Sequence, residues 1–153
     1  MRLAVVGAGS MGAQIAMQAA LHGISVMLYD KDEAQLSKAI SSNQARLARR
    51  VENGKLAREE ADRALYLLNT SLDLDDAVED VQFVIEAVFE DLQVKRGIFA
   101  DLDREAPREA VLASNSSTIG ISKIRAMIAI FESQAGSRVG QTKASATLSN
   151  SVV

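Results

Sequence analysis

Two residues into the chain, a short apolar run, Leu3 to Val6, passes directly into Gly7-Ala8-Gly9-Ser10-Met11-Gly12 and then into a stretch of helix formers. Three glycines in six positions exceed what an ordinary turn needs. Glycine tolerates positive φ and lets another group come close to the main chain, so a loop of this kind points to a bound group rather than a simple reversal. The run before it suits a strand buried on both faces, and "SMGAQIAMQAALH" after it reads as a helix stopped at Gly23. A second strand-like run, Ile24 to Tyr29, ends in Asp30. The first thirty or so residues therefore predict a βαβ unit, which commits the chain to an α/β architecture with a parallel sheet.

Strand, G-x-G-x-x-G turn and helix in that order form the dinucleotide fingerprint. Gly7 makes the turn, Gly9 admits the pyrophosphate, and Gly12 lets helix and strand pack closely. Unpaired N–H groups at the helix start, including those of Ser10 and Met11, supply donors and partial positive charge for the diphosphate. Asp30 stands 18 residues beyond Gly12, where a carboxylate accepts hydrogen bonds from the adenosine ribose and repels a 2'-phosphate. The predicted cofactor is NAD rather than NADP.

Beyond Asp30, residues 33–68 are rich in Ala, Leu, Arg and Glu and are broken at Asn53-Gly54, which predicts two helices joined by a tight turn. "TSLDL" reads as a short strand, "DDAVED" as a turn or two of helix, and "VQFVIEAV" as the central strand of the sheet. "EDLQVKRGIFADLDREA" is helical and ends before Pro107, and "AVLASN" is a further strand. From Arg125 the composition turns to small polar residues, and residues 133–153 are expected to be weakly structured.

Composition narrows the function classes. The 153 residues suffice for one core, and a net charge of −3 offers no basic field for nucleic acid or anionic lipid. With no cysteine and a single histidine, thiolate and histidine-rich metal sites are excluded. No apolar run is long enough for a signal peptide or a membrane span, which points to a cytoplasmic protein. The expected partner is a small molecule or another protein. His22, just before Gly23, reads as a structural residue at a helix end.

The segments "VVGAGSMGAQIA", "VIEAVFEDLQVKRGIFADLD" and "ASNSSTIGISKI" resemble the NAD-binding domain of the 3-hydroxyacyl-CoA dehydrogenases, over Met1 to about Ile124. The resemblance implies a Rossmann-type parallel sheet with a helical hairpin inserted after the second strand. It implies Glu90 and Lys95 beside the cofactor ribose, Ala87 lining the NAD cleft, Asn115 at the nicotinamide, and Ser117 in contact with the substrate oxygen of an acyl-CoA. Taken alone, Asn115 and Ser117 could equally cap a turn, and Lys95 could simply face water.

Members of that family carry an H-F-F-N-P strand about twenty residues further on, whose histidine is the catalytic base, and an all-helical domain that closes the cleft and forms the dimer. This sequence has only His22 and only Pro107, so the H-F-F-N-P motif is not present, and the helical domain is expected to be absent as well. The expectation is an NAD-binding domain, residues 1–124, followed by a divergent tail, 125–153, truncated relative to the family and inactive by itself. A homo-oligomer or association with a separate C-terminal domain is expected. Two other readings remain open: a non-catalytic dinucleotide-binding or subunit-interaction module, and a 3-hydroxyacid reductase of the 6-phosphogluconate dehydrogenase type, which shares G-x-G-x-M-G.

Overall fold

A computed structural model of the chain describes residues 1–89, 91–114 and 145–146. Strands β1 (Arg2–Val6), β2 (Ser25–Tyr29), β3 (Leu68–Ser71), β4 (Phe83–Glu86), β5 (Val111–Ser114) and β6 (Ser145–Ala146) form one sheet in the order β3-β2-β1-β4-β5-β6. Every pairing is parallel. Helices α1 (Ser10–Leu21), α2 (Glu33–Glu52), α3 (Arg58–Leu67), α4 (Leu74–Val78) and α5 (Leu92–Glu105) make the connections. This is the Rossmann-type sheet with the expected helical hairpin after β2. β4 lies between β1 and β5, as its unbroken apolar run predicts.

Alternation along β1 divides the core between the two faces of the sheet. Leu3 and Val5 pack with α1, α2 and α3, whereas Ala4 and Val6 pack with Val84 of β4 and Leu102 of α5. Alanines at 13, 16, 19 and 20 are buried, so α1 lies close on the sheet. It ends at His22, and Gly23 follows at φ +80°, a conformation that favours glycine. α2 starts on an Asp32 side chain that accepts from the Ala34 N–H at 2.9 Å, and it ends at Asn53 with Gly54 at φ +64°. The two-helix reading of this segment, broken at Asn53-Gly54, therefore holds.

The third strand falls earlier than "TSLDL" suggested. It runs Leu68–Ser71, directly out of α3, and Leu74 already belongs to α4. Leu68 is buried against β2, while Asp73 caps α4 by accepting from the Asp75 N–H at 3.0 Å. The Ser-Leu-Asp-Leu stretch thus holds a strand end and a helix start rather than a strand. Within the segment expected to be weakly structured, the described residues are Ser145–Ala146, which pair with Leu112 and Ala113 of β5.

Candidate functional site

The carboxyl ends of the strands form a row in which Ser71, Tyr29, Val6, Glu86 and Ser114 are register partners. The glycine loop rises from this row between β1 and α1, the place where ligands meet open α/β sheets. The Gly7 N–H donates to the Tyr29 carbonyl at 2.7 Å, which anchors the loop to β2.

The three glycines serve different purposes. Gly7 has φ +108°, and a Cβ there would sit 2.8 Å from the Ala87 carbonyl oxygen. A Cβ at Gly12 would lie at 1.8 Å from the Gly7 carbonyl oxygen, an impossible contact. The folded chain itself demands glycine at both places. A Cβ at Gly9 would meet nothing within 4 Å, and its φ of −63° suits any residue. Open space over Gly9 is what a diphosphate resting on the loop requires, so the cradle fits the dinucleotide.

α1 begins beside that space with Gly9 as its N-cap, no side-chain cap and no acidic residue in its first turn. The first intrahelical bond runs from the Ala13 N–H to the Gly9 carbonyl at 2.9 Å, so the N–H groups of Ser10, Met11 and Gly12 precede the helical ladder. Ser10 and Met11 are exposed. Asp30, at the end of β2, accepts from the Ala8 N–H at 2.8 Å through Oδ2 and from the Asp32 N–H at 3.0 Å through Oδ1. It clasps the loop across 22 residues of sequence. Each oxygen keeps a second lone pair for a ribose hydroxyl. That clasp was invisible in the sequence, where Asp30 stood only as a ribose acceptor.

Ala87 lies under the loop: its N–H donates to the Val6 carbonyl at 2.8 Å, and its carbonyl and Cβ face Gly7 and Gly12. Lys95 stands on α5 with its Nζ 3.6 Å from the buried Glu86 Oε2. Glu90, Asn115 and Ser117 lie outside the described residues. His22 is at the far end of α1, roughly 18 Å along a 12-residue helix from the glycine loop. It is placed as the C-cap of α1, in keeping with a structural role.

Two features of the site escaped sequence reasoning. One is the full burial of Glu86 in β4, a residue that the family resemblance puts on the cofactor side of the cleft without showing what it contacts. The other is a cavity of about 140 Å³ between the start of α1 and the side of α2, lined in part by Gly9, Lys38, Ser42, Asn43 and Arg46. Asn43 is buried and donates to the Ala13 carbonyl at 2.9 Å, tying α2 to α1. A polar residue at a buried position of α2 was the available signal. Among the described residues no cluster could hold a metal ion, and no helix is long and apolar enough to cross a membrane.

Comparison with known proteins gives a consistent result. Residues 2–136 match the family described as 3-hydroxyacyl-CoA dehydrogenase, NAD binding domain. The chain is 46% identical over 126 residues to a 3-hydroxybutyryl-CoA dehydrogenase of Mycobacterium tuberculosis, a match covering 82% of this chain and 44% of that protein. It is 41% identical over 123 residues to the glyoxysomal fatty acid beta-oxidation multifunctional protein MFP-a of Brassica napus, covering 80% of this chain and 17% of the plant protein. Among solved structures, the 3-hydroxybutyryl-CoA dehydrogenase of Escherichia coli K12 superposes with a TM-score of 0.74 at 41% identity, over 82% of this chain and 26% of that one. The chain thus spans less than half the length of each of these relatives.

Proposed function

The chain belongs to the 3-hydroxyacyl-CoA dehydrogenase family, as its NAD-binding domain, and on that premise we propose that it serves the oxidation of a 3-hydroxyacyl-CoA to the 3-oxoacyl-CoA in fatty-acid metabolism. NAD, when bound, supplies the hydride acceptor. The observation that carries the reading is the open space over Gly9, next to uncapped N–H groups and the Asp30 carboxylate.

In this reading the N–H groups of Ser10 and Met11 hold the diphosphate, and Asp30 accepts from the adenosine ribose and repels a 2'-phosphate. Ala87 lines the cleft, and Lys95 with Glu90 lies by the cofactor ribose. Asn115 orients the nicotinamide. Ser117 hydrogen-bonds the substrate oxygen but, as a hydroxyl, is a poor proton acceptor near neutral pH. The NAD-binding unit comprises residues 1–124 and a divergent segment comprises 125–153. The working protein is cytoplasmic and acts as a homo-oligomer or with a separate C-terminal domain.

A non-catalytic dinucleotide-binding role is the second reading, favoured by the position of His22, the one histidine, at the end of α1 away from the loop. Titration calorimetry with NAD and NADP tests the first premise. Wild-type chain should prefer NAD, and Asp30→Ala should lose more affinity for NAD than for NADP. Equal losses would remove Asp30 from the ribose site. Adding 3-hydroxybutyryl-CoA together with a complementing C-terminal chain and following NADH absorbance separates the two readings: turnover supports the dehydrogenase, and binding without turnover supports the module.

A further inference from the structure

Glu86 is the only acidic side chain fully buried among the described residues. By alternation along β4 it shares the face of Val84, toward α5. A carboxylate at such depth is tolerated only when its oxygens are satisfied, and here both are. Oε1 accepts from the Val88 N–H at 2.8 Å. Oε2 accepts from the Ser114 hydroxyl at 2.6 Å and faces the Lys95 ammonium at 3.6 Å. Packing does not account for the charge, because Val6, its register partner in β1, serves the same row as hydrocarbon. Well-packed apolar replacements of buried ion pairs are often neutral or stabilising.

The contacts instead converge on the cleft. The bond to the Val88 N–H orients the Ala87–Val88 peptide, and the Ala87 carbonyl is the group that crowds Gly7. The bond to Ser114 fixes the last residue of β5. The Lys95 side chain, 13% exposed, is drawn toward the same point from α5. Resting on the NAD reading above, we propose that Glu86 is a positioning residue of the cofactor cleft: it aims the Lys95 ammonium and sets the backbone around the glycine loop without touching the cofactor.

The test uses the 153-residue chain, with NAD titration calorimetry beside NMR of 15N- and 13C-labelled lysine side chains. Glu86→Gln keeps a carbonyl acceptor for the Val88 N–H, offers its NH2 as a donor to the Ser114 hydroxyl oxygen, and removes the countercharge. It should weaken NAD about tenfold, the size of one charge-assisted hydrogen bond. Lys95→Met should weaken it to a similar degree, and the double variant should bind no worse than the weaker single one. The Lys95 resonance, assigned by its absence in Lys95→Met, should move in Glu86→Gln. A folded Glu86→Gln chain with wild-type NAD affinity and an unmoved Lys95 resonance would overturn the proposal, as would losses that multiply in the double variant. If Glu86→Gln does not fold, Ser114→Ala is read instead: a shifted Lys95 resonance with weakened NAD supports the role, and no change in either refutes it. If wild-type chain gives no NAD heat, the cofactor reading has failed, and the Lys95 resonance alone decides whether Glu86 holds the ammonium.

Discussion

Replacing the loop glycines one at a time by alanine should separate what folding demands from what a ligand demands. At Gly12 the new methyl would lie 1.8 Å from the Gly7 carbonyl oxygen, a backbone atom that cannot swing aside. The loop or helix α1 must move, and the expected loss is about 3 kcal/mol or more. At Gly7 the methyl meets the Ala87 carbonyl at 2.8 Å from a φ of +108°. Left-handed backbone and overpacking together give roughly 2 to 4 kcal/mol. At Gly9 nothing lies within 4 Å. Alanine is a poorer N-cap than glycine but reduces unfolded-state entropy, so the net change should stay within about 1 kcal/mol. The same methyl occupies the space assigned to the diphosphate, and NAD affinity should fall at least about tenfold, or about 1.4 kcal/mol. Urea unfolding gives the stabilities and titration calorimetry the affinities. A Gly9→Ala chain as unstable as Gly12→Ala, or one that binds NAD like the wild type, would refute the reasoning.

Leu102 has no exposed surface and joins α5 to the β1 and β4 face, so Leu102→Ala should lower unfolding free energy by about 2 to 5 kcal/mol in the same urea assay. Burial first, and then the charges of Asp30, Asp101 and Asp73, hold the Tyr29 phenol above its ordinary value of 10.0. Because the unfolded phenol ionises first, the stability contribution of Tyr29 is complete below its ordinary value and falls as pH rises through the raised one. Phenolate absorbance near 295 nm should show a late step that Tyr29→Phe abolishes. With saturating NAD and 3-hydroxybutyryl-CoA, this chain by itself should turn over about 10² to 10⁴ times more slowly than an intact family member, the usual worth of a positioned general base. Turnover at the intact rate, abolished by Ser117→Ala, would require another proton acceptor.

Local pattern alone determined the βαβ start, the glycine fingerprint, the hairpin broken at Asn53-Gly54 and the central place of Val84 and Ile85, because each rests on residues that act on near neighbours. Glycine spacing, a helix stop and an unbroken apolar run are all readable within a few turns of chain. The third strand escaped that reading. Thr70 to Leu74 has strand-like composition, but Leu68 found its partner in β2 and Asp73 capped a helix. The second role of Asp30 depends on Ala8, 22 residues away, and the bond that ties Glu86 to β5 depends on Ser114, 28 residues away. Whether a carboxylate in an apolar strand is buried waste or a satisfied hub is decided by which groups the sheet brings within hydrogen-bond reach, and the register of parallel strands places those groups only when the chain has folded.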